Sequence, residues 1–148
     1  MADPFMKWLG ETWRCANLYR TAQFEPLGIG SYQDSYILNI CRNPGIAQEA
    51  LSRLIYVHKS NVARQLASLE EKGFITRTPD PQDRRSLLVW PTQKAYDAIP
   101  AIREAHRSWN ERILEGFSEQ ERREVALYAQ RLAENAKRVI AEDEEQRP

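Results

Sequence analysis

The stretch from Gln48 to Arg85 constrains the fold of this 148-residue chain most, because two helical segments and two strand-like segments follow one another closely there. The second helical segment, from His58 to about Lys72, carries apolar side chains at positions i, i+4 and i+7. These are Val62, Leu66 and Leu69. The spacing predicts one buried stripe on an otherwise polar helix. The whole stretch therefore predicts a helix, a tight turn, a second helix and a β-hairpin.

The opposite face of this second helix carries polar and basic side chains. The candidates for contact with DNA are Lys59, Ser60, Asn61, Arg64 and Gln65. A helix that enters a major groove needs this division into an apolar back and a polar front. We expect Arg64 to contact guanine and Lys59 to contact phosphate. The alternative is an ordinary solvated helix face.

Charge is sorted locally along the chain, although its total is balanced. The chain holds 21 Lys and Arg against 21 Asp and Glu, so it has no overall polycation character. Between Ala50 and Leu69, however, there is no acidic residue, while Arg53, Lys59 and Arg64 are basic. This local absence of carboxylates favours DNA binding by the second helix.

The hairpin is predicted from turn chemistry between two short apolar runs. Gly73 is expected to end the preceding helix, and the runs Phe74–Thr78 and Ser86–Trp90 are strand-like. Arg84 and Arg85 lie at the hairpin tip. We expect both to enter a minor groove, where narrow A·T-rich segments attract guanidinium groups. The alternative for this pair is a solvated turn.

The flanking segments are helical. Apolar residues that recur at three and four positions predict four helices here. They are one from Phe5 to about Phe24, a second capped by Ser31, a short helix starting at Ile46, and a long helix from Thr92 to about Gly116. Ser118 and Glu121 then form a capping box before the last helix. Both terminal helices carry apolar faces that a single chain of this length would struggle to cover. Each face must be covered either by the chain's own domain or by a second subunit.

Several classes of protein are disfavoured by what the sequence lacks. Two cysteines, Cys15 and Cys41, are too few for a disulfide-stapled secreted fold, and with His58 and His106 they show no zinc-site spacing. No apolar run is long enough to span a membrane, so a cytoplasmic protein is expected. We find no phosphate loop and no nucleophile elbow. We therefore expect no enzyme activity, no cofactor and no metal.

From Ile46 to Val89 the sequence resembles the MarR family of bacterial transcription regulators. The resemblance rests on Ser60–Arg64, Leu69–Phe74, Thr78–Arg85 and Leu88–Thr92, in that order and spacing, and the flanking helices extend it to nearly the whole chain. Pro91 and Ala95 depart from the usual leucine and glycine of the family. The resemblance implies a homodimer on a pseudo-palindromic operator, released by a small ligand or an oxidant. It also implies that Asp83 steadies Arg85.

Two kinds of effector site are open. An aromatic pocket is one interpretation of residues whose helical spacing is more typical of ordinary core: Trp13, Tyr19, Tyr32, Tyr36 and Trp109. Some family members sense peroxide through a first-helix cysteine in a Leu-Cys-Phe-x-x-Leu-Tyr motif, which Arg14–Tyr19 resembles with two departures. Cys15 is thus a candidate redox sensor, and the alternative is an inert thiol buried on the apolar face.

The predicted fold class is mostly α, a winged helix-turn-helix with a two-stranded β-hairpin wing and N- and C-terminal dimerisation helices. We expect one domain over residues 1–148, with a DNA-binding lobe at about 44–91 and dimerisation helices at about 4–24 and 92–141. The predicted function is a homodimeric DNA-binding transcription regulator, a repressor released by a small aromatic ligand or an oxidant. The alternative is a winged-helix protein-interaction module that does not bind DNA.

Overall fold

The computed structural model describes residues 4–146. Its first helix is α1 (Phe5–Phe24), with the bounds that the sequence predicts. A 3₁₀ turn, Glu25–Leu27, leads on to α2 (Gln33–Arg42). The predicted cap of α2 is wrong, because Tyr32 occupies that position with a left-handed φ of 65°. The Ser31 hydroxyl is hydrogen-bonded to the Asn17 amide instead, at 2.9 Å from its nitrogen.

The helix–turn–helix comprises α3 (Gln48–Ile55) and α4 (Lys59–Glu71). The short helix was predicted to start at Ile46, but Ile46–Ala47 form a strand, β1, because they pair with the second strand of the hairpin. The N-cap of α4 is His58, whose Nδ1 accepts a hydrogen bond from the Ser60 backbone N–H.

The hairpin forms as predicted, with each strand shifted by one residue. Its strands are β2 (Ile75–Pro79) and β3 (Leu87–Pro91), and Gly73 ends the preceding helix with a φ of 80°. Within the described residues, the antiparallel sheet has three strands in the order β1–β3–β2, so β1 adds to the expected two-stranded wing. The predicted fold class, mostly α with a winged helix-turn-helix, is confirmed.

The remaining helices are α5 (Gln93–Ile113) and α6 (Glu119–Glu145). Before α5, the Thr92 hydroxyl donates to the carbonyl oxygens of Gly73 and Phe74, at 2.7 and 3.0 Å, and so ties the start of this helix to the end of α4. The capping box predicted for α6 is present, since the Ser118 and Glu121 side chains each bond the other residue's backbone N–H.

The chain divides into two compact units, Met1–Trp109 and Asn110–Pro148. The first unit holds the hydrophobic core, to which α2, α3, α4, the sheet and α5 contribute. Its fully buried side chains include Ile37, Ile40, Leu51, Val62, Leu66, Leu69, Val89 and Ile102. In the second unit, no described residue of α6 is buried. The predicted single domain and its lobe boundaries stay predictions.

Between residues 4 and 146, no helix is both long enough and apolar enough to span a bilayer.

Candidate nucleic-acid interface

The apolar stripe of α4 is buried and part of its polar face is exposed. Val62, Leu66 and Leu69 have no exposed surface. Ser60 and Arg64 are exposed, and the Arg64 guanidinium donates from Nη2 to Asn61 Oδ1 at 2.8 Å. Because the guanidinium is planar and rigid, this bond restricts the direction in which its remaining N–H groups point. The helix therefore presents an oriented arginine to solvent.

Gln65 and Ser68 point inward rather than outward. Both are half-buried, and both accept hydrogen bonds at 3.1 Å from Nε2 of the buried Gln33 on α2. The polar face of α4 is therefore divided between an exposed part that includes Arg64 and a part that packs on α2. Gln65, predicted to contact DNA, lies on the packed part.

Lys59 at the start of α4 is paired with a carboxylate that lies just outside the acid-free segment. Its Nζ is 2.9 Å from Oε1 of Glu49, which is also 3.4 Å from Nη1 of Arg53. The hydrogen bond and charge of Lys59, together with the charge of Arg53, hold the pKa of Glu49 below its usual range. The positive charge of this surface is therefore smaller than the acid-free segment indicates.

The wing tip exposes both predicted arginines. Asp83 accepts a hydrogen bond from the Arg85 backbone N–H through its Oδ1 at 3.0 Å, and its carbonyl oxygen accepts another from the Ser86 N–H. Asp83 therefore shapes the turn, which leaves the guanidinium of Arg85 available to a ligand. Arg84 is exposed beside it.

A groove of about 270 Å³ is lined by residues of both the wing and the helix–turn–helix. Lys59 and Arg85 both line it, with Glu49 and Asp83 as their acidic neighbours. The two cations come from segments 26 positions apart (85 − 59) and meet because the hairpin folds back beside α3. This arrangement can bind a phosphate that displaces Glu49 from Lys59.

A second ion pair fixes the wing to α4. The Arg77 guanidinium on β2 donates to Glu70 Oε2 from Nη2 at 2.8 Å and from Nε at 3.1 Å, and the Arg77 backbone N–H donates to Glu70 Oε1 at 2.9 Å. The hydrogen bond from Arg77 holds the pKa of Glu70 below its usual value. Because several bonds join the same two residues, the wing keeps a defined direction relative to the helix.

Behind α4 lies a cavity of about 310 Å³ lined by three of the five predicted pocket residues. These are Trp13, Tyr32 and Tyr36; Asn61 and Gln65 of α4 also line it. The rings of Trp13 and Tyr32 are stacked with centroids 6.0 Å apart. Part of the cavity wall is thus aromatic, and another part is formed by α4.

Two polar groups of the cavity lining are buried without a partner. Arg20 Nη2 and the Tyr36 hydroxyl find no hydrogen-bond partner among residues 4–146. Burial raises the pKa of Tyr36, so the phenol stays protonated and can donate. Unpaired buried donors are costly, so these two groups favour a partner that residues 4–146 do not supply.

Asp34 connects this cavity to α5. Its Oδ2 is 3.2 Å from Arg20 Nη1 and 2.7 Å from His106 Nε2, and its side chain is 3% exposed. Burial alone would raise the pKa of Asp34, but the hydrogen bond from His106 and the charge of Arg20 outweigh it and hold the pKa below its usual value. Asp34 is therefore a buried carboxylate shared by α1 and α5.

The other predicted effector residues lie elsewhere. Tyr19 and Trp109 contact each other, with ring centroids 5.4 Å apart, and the Tyr19 hydroxyl is hydrogen-bonded to Ser108 at 2.9 Å. Cys15 is exposed, so the expectation of a thiol buried on the apolar face is wrong. Cys41 is half-buried, and burial raises its pKa, as befits an inert thiol.

Sequence reasoning missed the residues that hold the interface together. Gln33, Asp34, Glu70 and Arg77 act across elements, and no local periodicity marks them. The available signal was the adjacent Gln33 and Asp34 at a helix start. If such polar side chains are buried, they need partners from other elements. Their partners lie up to 72 positions away, as the Asp34–His106 pair illustrates.

Comparison with known proteins finds regulators that match most of the chain. Residues 33–87 match the model of the MarR family. Over 136 residues the chain is 29% identical to the HTH-type transcriptional regulator YybA of Bacillus subtilis (strain 168), covering 92% of this chain and 91% of that protein. It is 30% identical to a MarR transcriptional regulator from Methanosarcina mazei Go1, whose crystal structure superposes with a TM-score of 0.87 and covers 93% of this chain and 99% of that one.

A third relative has been solved with a nucleic acid. The crystal structure of a MarR family transcriptional regulator from Listeria monocytogenes complexed with 26mer DNA is 24% identical, with a TM-score of 0.84. It covers 100% of this chain and 98% of that one. At this identity the likeness shows the shared fold alone.

Proposed function

Because the chain belongs to the MarR family of transcriptional regulators, we propose that it is a homodimeric repressor of a pseudo-palindromic operator, released by a small aromatic ligand or an oxidant. The observation that carries DNA binding is the groove lined by Lys59 of α4 and the wing's Arg85, with Arg64 exposed on the same helix. Since the family is one of transcriptional regulators, the prediction that the chain is not an enzyme is confirmed. A repressor that binds an operator acts in the cytoplasm, which is the location we propose for this chain.

The proposed DNA contacts divide into base-reading and phosphate-binding groups. Arg64 and Asn61, which are bonded to each other, are assigned to base edges in the major groove. Lys59 and Ser60 at the start of α4 are assigned to phosphate, and Arg84 and Arg85 to the minor groove. The Listeria relative solved with 26mer DNA supports this use of the fold. Gln65 is the weakest assignment, since Gln33 already holds it.

The homodimer is supported by apolar surface that each unit leaves exposed. On α1, Trp8, Leu9 and Trp13 are each about half exposed. On α6, Val125, Tyr128, Leu132, Ala136 and Val139 recur at three and four positions and are all exposed. Contiguous apolar stripes on helices normally mark an interface. A second copy of this chain is the occupant we propose.

Leu132→Glu is expected to convert the dimer to a monomer, because each subunit would then place a carboxylate in the proposed apolar contact. The matched control is Gln130→Glu, which adds the same charge on the opposite face of α6, where we expect no change. Light scattering coupled to gel filtration measures both. A dimer that survives Leu132→Glu at micromolar concentration would contradict the α6 interface.

Release by a ligand is supported by the 310 Å³ cavity with its unpaired Arg20 and Tyr36 donors. An aromatic molecule with an acceptor oxygen would stack on Trp13 and Tyr32 and accept from these donors. Since Asn61 and Gln65 also line the cavity, its occupant would contact the recognition helix. Release by an oxidant is supported by the exposure of Cys15.

Tyr36→Phe is expected to raise the benzoate concentration that releases DNA about tenfold, because one hydrogen bond to a carboxylate is lost. Cys15→Ser should leave the benzoate response unchanged and abolish any response to hydrogen peroxide. Displacement of labelled DNA measures both. Peroxide-driven release that persists in Cys15→Ser would remove the thiol from the mechanism, and an unchanged benzoate midpoint in Tyr36→Phe would remove the cavity.

The experiment that tests the function is fluorescence-anisotropy titration of DNA from upstream of the chain's own gene, with random DNA as competitor. Tight, salt-sensitive binding that random DNA does not displace is expected of an operator. Binding that random DNA displaces fully would indicate a distant operator. No binding to either DNA would favour a winged-helix protein-interaction module.

A further inference from the structure

Gln33 joins α2 to the recognition helix through a fully used side-chain amide. The residue is 3% exposed. Its Oε1 accepts from the Gly30 backbone N–H at 2.8 Å and from Lys72 Nζ at 3.0 Å, and its Nε2 donates to Gln65 Oε1 and Ser68 Oγ, both at 3.1 Å. Both amide hydrogens and both lone pairs of the oxygen are thus engaged.

The α4-side partners form a stripe along that helix and its end. Gln65, Ser68 and Lys72 are spaced at i, i+3 and i+7, so they lie on one side of the helix, next to the apolar stripe. Apolar contacts are non-directional and tolerate small rotations, whereas hydrogen bonds lose strength when their geometry changes. The polar stripe therefore fixes the rotation of α4 about its axis more strictly than the core does.

We propose that Gln33 is a positioning residue for DNA recognition: by holding Gln65, Ser68 and Lys72, it sets the rotation at which α4 presents Arg64 to the bases. The inference rests on the proposed operator binding. Arg64 immediately precedes Gln65, so rotation of α4 moves its guanidinium directly. A bidentate contact with a base edge depends on this direction, whereas a phosphate contact by Lys59 tolerates a change.

Gln33 also bonds a residue of α4 that lines the cavity. Gln65 lines the cavity, and so does Asp34, the residue after Gln33. An occupant that draws the Gln65 amide toward itself competes with Gln33 for that side chain. The same bonds that position α4 in the free protein are thus open to disturbance by an effector.

A purely structural role and a positioning role predict different results. If Gln33 only stabilised the fold, its loss would lower the unfolding temperature and leave the ratio of operator to random-DNA affinity unchanged. If it positions α4, that ratio falls, because base contacts supply it, while phosphate-dependent binding to random DNA stays constant. The ratio is therefore the informative quantity.

The test uses full-length chains and a duplex that the wild-type protein selects from a random pool, with a random duplex of equal length. Gln33→Met is expected to weaken binding to the selected duplex about tenfold and to leave random-duplex binding and its salt dependence unchanged. Gln33→Ala removes the donors to α4 together with the acceptors for Gly30 and Lys72. It should lower the same ratio, and it serves if Gln33→Met does not fold.

The control is Asn17→Leu, which removes a half-buried amide that bonds Ser31, away from α4. It should lower the unfolding temperature without changing the ratio. An unchanged ratio in folded Gln33→Met or Gln33→Ala overturns the positioning role while operator binding stands. If the wild-type protein enriches no sequence from the pool, the proposed function fails first, and the positioning role fails with it.

Discussion

Arg85→Ala is expected to weaken operator binding about a hundredfold or more while leaving the fold intact. The proposed homodimer would lose two guanidinium groups, and arginine–base contacts contribute about 1–3 kcal/mol each. The side chain is exposed, and its turn is held by the backbone N–H to Asp83, which alanine retains. Removing it should therefore change the stability of the free protein by less than about 0.5 kcal/mol.

Anisotropy titration at two salt concentrations measures this effect. Because Arg85 supplies charge as well as shape recognition, the variant should also show a shallower dependence of affinity on salt. The matched control is Arg123→Ala on α6, which removes an arginine that is 72% exposed and lies 3.9 Å from Glu119. If Arg85→Ala and Arg123→Ala bind the operator equally well, the wing has no part in recognition.

Asp83→Ala separates the turn from the guanidinium at the same tip. This variant keeps Arg85 but loses the acceptor of its backbone N–H. Its operator affinity should fall by less than that of Arg85→Ala, because a loosened turn still carries the charge. The order of the two affinities is the check.

The sequence predicted elements whose signals are local. The burial of Val62, Leu66 and Leu69 follows from helical periodicity, and the end of α4 follows from the only residue type that adopts a φ of 80° without strain, here Gly73. The capping box at Ser118 is likewise local, since its two partners lie three positions apart. Each of these was predicted because cause and effect lie within one or two turns of chain.

What the sequence could not supply depends on contacts between distant segments. A two-residue strand such as β1 is too short to show alternation and exists only because β3 is there to pair with it. By residue type Ser31 is a better helix cap than Tyr32. Its hydroxyl instead accepts a hydrogen bond from Asn17, which is distant in the sequence. Gln65 was predicted to contact bases because it is a polar residue on the side of the helix away from the apolar stripe. Only the hydrogen bond from Gln33, on another helix, shows that it points inward.

The second large effect is expected from Asp34→Ala, which should destabilise the protein by about 3–5 kcal/mol, because removing one member of a buried ion pair leaves the other uncompensated. Here the charge left behind is Arg20, whose side chain is 14% exposed and whose Nη2 already has no partner within residues 4–146. His106 loses its 2.7 Å bond to the same oxygen. Thermal unfolding at neutral pH measures the loss, and Asp34→Asn, which keeps size and one acceptor, should lose less.

The pH dependence of the same pair gives an independent check with a defined sign. Since the pKa of Asp34 in the folded chain lies below the usual value of 3.8, its stabilising contribution is present in full above that value and is lost as the pH falls through the folded pKa. The difference in unfolding temperature between wild type and Asp34→Asn should therefore shrink as the pH falls below about 4.

The comparison with Asp34→Asn isolates this carboxylate from the others. Glu49, Glu70, Glu104 and Glu121 also have pKa values held below the usual range, so the wild-type protein loses stability in acid for several reasons. These carboxylates are unchanged in the variant, so their contributions cancel in the difference. A difference that stays the same from neutral pH to pH 3 would mean that the folded chain does not lower the pKa of Asp34. Arg20 and His106 would then be held by something other than its charge.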